Sequence, residues 1–146
     1  QELLEDKYDV ASDVWSVTSY KELYNDAMDV ERKNMLNPDI DKELPYIGQA
    51  LDKESGVFVA ASDYMKVMPA IIARWIPGPF TMLGTDGFGR SDARPDLRDF
   101  FEVDYRYIAF AALSSMAREN KIKASTIKKA IKDLDIDVDK SNPLFS

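Results

Sequence analysis

The stretch Phe80–Asp104, FTMLGTDGFGRSDARPDLRDFFEVD, constrains the fold of this 146-residue chain more than any other. It opens on a short apolar run, Phe80-Thr81-Met82-Leu83, of the kind that forms a buried strand. Three glycines follow, Gly84, Gly87 and Gly89, which permit backbone angles closed to other residues. A helix is predicted to open near Pro95, where a missing N–H costs nothing, with Leu97, Phe100 and Phe101 on one apolar face. Strand, glycine loop and helix in that order place a polar loop at the carboxyl end of a sheet. Open α/β sheets receive ligands or partners at that end.

The hydrophobic fraction of 45% and charged fraction of 31% are those of a globular chain large enough for one domain. No apolar run approaches the roughly 18 residues of a membrane span, and no signal-peptide pattern is visible. The net charge of −7 opposes nucleic acid and anionic membranes as partners. A cytoplasmic location is the expectation. The chain opens on Gln1-Glu2-Leu3-Leu4, which reads as the end of a helix already under way, so a fragment of a larger protein is expected.

Three strands are predicted. Asp13–Thr18 is rich in β-branched and aromatic residues, Val57–Ala61 is continuously apolar, and Phe80–Leu83 is the third. Ser19 and Glu22 form a capping box ahead of a helix to about Leu36, with Tyr20, Leu23, Tyr24, Ala27 and Met28 at helical spacing. Core packing is the expected role of Trp15 and these tyrosines. Pro45 opens a short helix through Leu51. The next helix carries Met68, Ile71, Ile72, Trp75 and Ile76 and should kink or start near Met68, because Pro69 interrupts it.

Asp104 is placed to cap a heavily buried helix whose face is Ile108, Ala111, Ala112, Ser115 and Met116. Ser125 is expected to cap the last helix. Its inner face is Ile127, Ala130, Ile131 and Leu134, and Lys128, Lys129 and Lys132 face solvent. The tail from Asp135 is expected to pack through Ile136, Val138 and Leu144. Strands alternating with helices give an α/β fold with a mostly parallel sheet.

Catalytic options are few. The chain has no cysteine and no histidine, which removes thiolate chemistry, disulfides and the commonest acid–base group. Ser62, Ser91 and Ser125 therefore have no histidine to activate them. Asp39, Asp41 and Glu43 lack the spacing of a calcium loop. The run Gly84-Thr85-Asp86-Gly87-Phe88-Gly89 is neither a dinucleotide fingerprint nor a Walker loop. Arg90 would attract an anion there, whereas Asp86 and Asp92 would repel it. A structural turn projecting Phe88 and Arg90 toward another domain or subunit is the preferred reading. A free-standing module binding an anion at the loop is the alternative.

The same motif carries a resemblance. Gly84-Thr85-Asp86-Gly87-Phe88-Gly89-Arg90-Ser91-Asp92 with Phe101-Glu102-Val103-Asp104 resembles the C-terminal domain of the homodimeric pyruvate dehydrogenase component of the pyruvate dehydrogenase complex. A looser Phe-Gly-x-Ser form is similar to transketolase C-terminal domains, and the long form favours the dehydrogenase. Further matching stretches occur in the same order. They are Asp13–Ser19, Asp29-Val30-Glu31-Arg32 with Asn34-Met35-Leu36, Pro45-Tyr46, Ala60–Lys66, and Leu134-Asp135-Ile136-Asp137 before Asn142-Pro143.

The resemblance implies a three-layer α/β/α sandwich with a mixed, mostly parallel sheet, the usual first strand being absent here. It implies that residues 1–146 are a single C-terminal domain of a multidomain enzyme. The parent decarboxylates pyruvate with thiamine diphosphate and magnesium, then acetylates the lipoyl group of the dihydrolipoyl acetyltransferase core. The implied partners are the preceding domains, the second subunit of a homodimer and that core. No catalytic, cofactor-binding or metal residue is carried over, so the isolated chain is expected to be inactive. Gly84, Asp86, Gly87, Phe88, Gly89, Arg90, Ser91 and Asp92 are carried over as structural or interface residues only.

Overall fold

A computed structural model describes residues 1–146. The chain has seven helices and two strands, with one helix between the strands. They are α1 (Glu2–Tyr8), α2 (Tyr20–Leu36), α3 (Tyr46–Leu51), β1 (Phe58–Ala61), α4 (Val67–Ala70), β2 (Phe80–Leu83), α5 (Arg94–Phe100), α6 (Tyr105–Arg118) and α7 (Ala124–Asp133). The strands are parallel, with Phe58 opposite Phe80 and Ala61 opposite Leu83. The architecture is α/β, as the alternation of elements predicts.

Local chemistry accounts for most boundaries. Ser19 Oγ accepts the Glu22 N–H at 3.2 Å and starts α2. The Asp104 carboxylate accepts the N–H groups of Arg106 and Tyr107 at 2.9 and 3.1 Å and starts α6. Pro95 sits in the first turn of α5. Pro69 shortens its helix to four residues, and the chain continues as a 3₁₀ turn over Ala73–Trp75.

The core divides into two clusters. Leu4, Ala109, Leu113, Ala130 and Leu134 join α1, α6 and α7. Ile47, Leu51 and Ile72 join α3 to the turn after α4, with Tyr20, Leu23, Tyr24, Phe58 and Trp75 packed against them. Helix α6 lies along both strands and also along α7. It is the element that ties the sheet to the first cluster. Fully burying a leucine such as Leu113 contributes about 2 kcal/mol, so this seam is a main source of cohesion.

Several expectations need correction. Asp13–Thr18 is not a strand; it is irregular. Val14 and Trp15 are 77% and 56% exposed, so Trp15 is not a core residue, whereas Tyr20 and Tyr24 are partly buried against the second cluster. β-propensity reports fit to a pleated, half-buried surface, and this segment pairs with no neighbouring strand. Ser125 does not cap α7. Lys123 occupies that position and Ser125 lies in the first turn. On α6 the deepest residues are Tyr107 and Ser115 on one side and Ala109 and Leu113 on the other, so of the predicted face only Ser115 is fully buried. The helix meets the sheet on one side and α7 on another, so its burial exceeds a single stripe. In the tail, Ile136 packs as expected, but Val138 is 67% exposed.

Candidate functional site at the carboxyl end of the sheet

Parallel strands in register deliver their following loops to the same edge of the sheet. The β1 loop carries Ser62-Asp63-Tyr64-Met65-Lys66, and the β2 loop carries Gly84–Ala93. The Ser62 N–H donates to the Leu83 carbonyl at 3.1 Å and prolongs the ladder by one step. The Thr85 N–H then donates to the Tyr64 carbonyl at 3.0 Å, and the Thr85 hydroxyl donates to the Asp63 carbonyl at 3.1 Å. The Asp86 carboxylate accepts the Lys66 N–H at 3.0 Å and lies 3.9 Å from the Lys66 ammonium.

The three glycines have different reasons to be glycine. Gly84 is buried, and a Cβ there would sit 2.5 Å from the Tyr64 carbonyl oxygen and 2.8 Å from the Lys66 nitrogen. The two loops therefore approach too closely for any side chain. Gly87 has φ +99°, and a Cβ would sit 2.8 Å from the Pro143 carbonyl oxygen, so both angle and space demand glycine. Gly89 has open space around it and an ordinary φ. The expectation that all three supply special backbone angles holds only at Gly87.

Beyond Gly87 the loop turns outward. Phe88 is 85% exposed at its tip. Arg90 is exposed but folds back, its guanidinium 3.8 Å above the centre of the Phe100 ring. Ser91 is exposed. Asp92 accepts the Ala93 N–H at 2.8 Å just ahead of α5. The loop thus presents an aromatic tip on a braced base. Its Asp86 carboxylate is already engaged by Lys66 and would oppose an anion there.

Sequence reading missed the residues that brace this end. Arg98 on α5 donates two hydrogen bonds to the Asp63 carboxylate, at 3.1 and 2.7 Å. That pairing, with Arg94 nearby, holds the Asp63 carboxyl below the usual range. Asp63 stands two residues past the end of a predicted strand, which is a usable signal for its position. Arg98 carries no local signal, because only the packing of α5 brings it there.

A second polar network lies beside it. Arg106 donates to Asp104 at 2.8 Å and also to Asp99. The Lys140 ammonium donates to the Asp99 carbonyl at 2.5 Å and to the Tyr107 hydroxyl at 3.4 Å. Burial, helped by the nearby Glu102 and Asp99 charges, pushes the Tyr107 hydroxyl up to about 12. Asp39, Asp41 and Glu43 do not converge, and no group of acidic side chains here is arranged to hold a metal. Lys128, Lys129 and Lys132 are exposed, as predicted, and Lys129 pairs with Asp133 at 3.4 Å.

Residues 1–104 match the model of the transketolase-like TK C-terminal domain, and the chain belongs to that family. Its curated relatives are narrower in kind. It is 41% identical over 143 residues to the pyruvate dehydrogenase E1 component of Pseudomonas aeruginosa and 44% identical over 143 residues to that of Escherichia coli. It is 40% identical over 136 residues to that of Mycolicibacterium smegmatis. These matches cover 97%, 97% and 93% of this chain. The chain spans 15–16% of the length of these relatives.

Proposed function

We propose that residues 1–146 form the C-terminal domain of a cytoplasmic, homodimeric pyruvate dehydrogenase, with an assembly role rather than a catalytic one. The observation that carries this reading is the identity of 40–44% over almost the whole chain to proteins named pyruvate dehydrogenase E1 component. The site geometry agrees with it. The glycine loop is fastened at its base through Thr85 and Asp86 and ends in the exposed Phe88. A rigid stem with an aromatic tip suits contact with a preceding domain or a second subunit.

Thiamine diphosphate and magnesium would supply the decarboxylation chemistry in the parent enzyme. The residues here do not fit them. Asp86-Gly87 is the glycine loop's Asp-Gly pair, and the Asp86 carboxylate is taken up by the Lys66 N–H. In this reading the cofactor belongs to the preceding domains, and this chain carries no step of the reaction. The lipoyl group of a dihydrolipoyl acetyltransferase core would be the acetyl acceptor.

An antibody raised to this chain tests the reading on the native protein. The immunoprecipitate from source cells should contain a polypeptide several times larger than 16.6 kDa that decarboxylates pyruvate when supplied with thiamine diphosphate and magnesium. The purified 146-residue chain should give no turnover. A native product with no activity on pyruvate, or turnover by the chain alone, overturns it.

A further inference from the structure

The tail after α7 does more than end the fold. We propose that Lys140 is an electrostatic latch that fastens the segment Asp135–Ser146 to α5 and α6, and that the fastened segment sets the conformation of the glycine loop. The first half of the argument is charge. The cleft between this segment and the two helices is lined by the carboxylates of Asp96, Asp99, Asp104, Asp135 and Asp137 and by two cations, Arg106 and Lys140. Arg106 is already occupied by Asp99 and Asp104, both on its own side of the cleft. Lys140 alone carries positive charge across from the tail.

Its environment suits that role. The Lys140 side chain is 17% exposed. Its ammonium donates to the Asp99 carbonyl and the Tyr107 hydroxyl, lies 3.7 Å from the Asp99 carboxylate, and sits 5.0 Å from the centre of the Tyr107 ring. A charge-assisted hydrogen bond in a shielded site is among the stronger polar contacts available to a surface segment. Without the ammonium, the cleft keeps five aspartates and one cation, Arg106, which is already paired with Asp99 and Asp104.

The second half is packing. Three residues past the latch, the tail makes a 3₁₀ turn over Pro143–Phe145, capped by Asn142, whose side-chain oxygen accepts the Leu144 N–H at 2.9 Å. That turn presses on Gly87, where the Pro143 carbonyl and the Leu144 Cα occupy the space a side chain needs. Gly87 precedes Phe88. The tail is therefore the wall against which the loop tip is set. Phe88 and Phe145, each next in sequence to a residue of this contact, are 85% and 83% exposed. Whatever grips one segment acts on the other, and the coupling is reciprocal. It holds whichever enzyme carries the domain.

Backbone amide hydrogen exchange on the 146-residue chain tests the latch. Lys140→Met keeps most of the side-chain length and removes the charge. It should raise exchange at Leu144 and Phe145, whose amides are bonded within the tail's turn, by about tenfold or more and shift the backbone NMR resonances of Gly87–Arg90 at the same time, with β1 and α2 unchanged. Lys140→Arg should stay within about twofold of the parent. Faster exchange in the tail with an unchanged loop would show a fraying end without coupling and overturns the proposal, as does no change in either segment. Gly87→Ala probes the same contact from the loop side, should Lys140→Met prove unstable. It should raise exchange from Lys140 to Leu144, and a tail that ignores it refutes the coupling.

Discussion

Two irregular segments of this chain make an instructive pair. Asp9–Ser19 joins α1 to α2, and Gly84–Ala93 joins β2 to α5. The first is made of strand-forming residues and the second of turn formers, so composition favours the first as the more ordered. The hydrogen bonding to the rest of the fold runs the other way. Gly84–Asp86 is bound to the neighbouring loop by the Thr85 N–H, the Thr85 hydroxyl and the Asp86 carboxylate. In Asp9–Ser19, Val14, Trp15 and Val17 point into solvent, and the Gln1 amide to the Ser12 carbonyl is the long-range side-chain bond that reaches it. Order in a loop follows from satisfied backbone groups and close approach, whereas apolar content confers order only when there is something to pack on.

The contrast breaks most visibly at Gly84. Gly84→Ala forces a methyl group against the Tyr64 carbonyl and the Lys66 nitrogen and should cost about 3 kcal/mol, read as a lower urea midpoint. A stability within about 0.5 kcal/mol of the parent would mean the two loops part easily, and the braced end would lose its meaning. Asp86→Ala leaves the Lys66 N–H without its partner. It should cost about 1–2 kcal/mol, with faster exchange at the Lys66 amide.

The braced side also has a pH signature. Tyr107 keeps its proton up to about pH 12 in the folded chain, whereas an unfolded tyrosine loses it near the ordinary value of 10. The folded form therefore binds more protons across that window, and stability falls as pH rises through it. Tyr107→Phe should flatten the fall in melting temperature between pH 9 and pH 11. An unchanged slope would assign the alkaline loss to other groups.

The smallest effects are expected on the open side. Trp15→Ser and Gly89→Ala should each change stability by less than about 0.5 kcal/mol. A large loss from Trp15→Ser would sharpen the comparison differently. It would show that the exposed segment is held against something when the chain is at work.

Much of the fold was legible in the sequence because the signals are local. Ser19 with Glu22, Asp104 before an apolar helix, Pro95 in a first turn and Pro69 in a broken one act within four residues of themselves. The two paired strands are short apolar runs bounded by breakers, but the burial expected of them is only partial: both are half-buried, and Ala61 at the end of β1 is exposed. The glycine loop was legible as a turn between strand and helix, and Phe88 as its projecting tip.

Other features depended on partners distant in the chain. Asp13–Thr18 has the residues of a strand and none of the neighbours, and a strand is defined by its neighbour. The roles of Arg98 and Lys140 come from residues 35 and 41 positions away, Asp63 and Asp99, and no spacing rule reaches that far. Even within the motif, the sequence showed three glycines and the fold assigned them three roles. Gly84 is fixed by the approach of a second loop, Gly87 by its backbone angle and the tail, and Gly89 by neither. The sequence by itself determined where this chain turns, caps and starts its helices, because those energies are set between near neighbours. Tertiary structure alone decided which surfaces close on one another, because desolvation and hydrogen-bond pairing belong to both members of a contact.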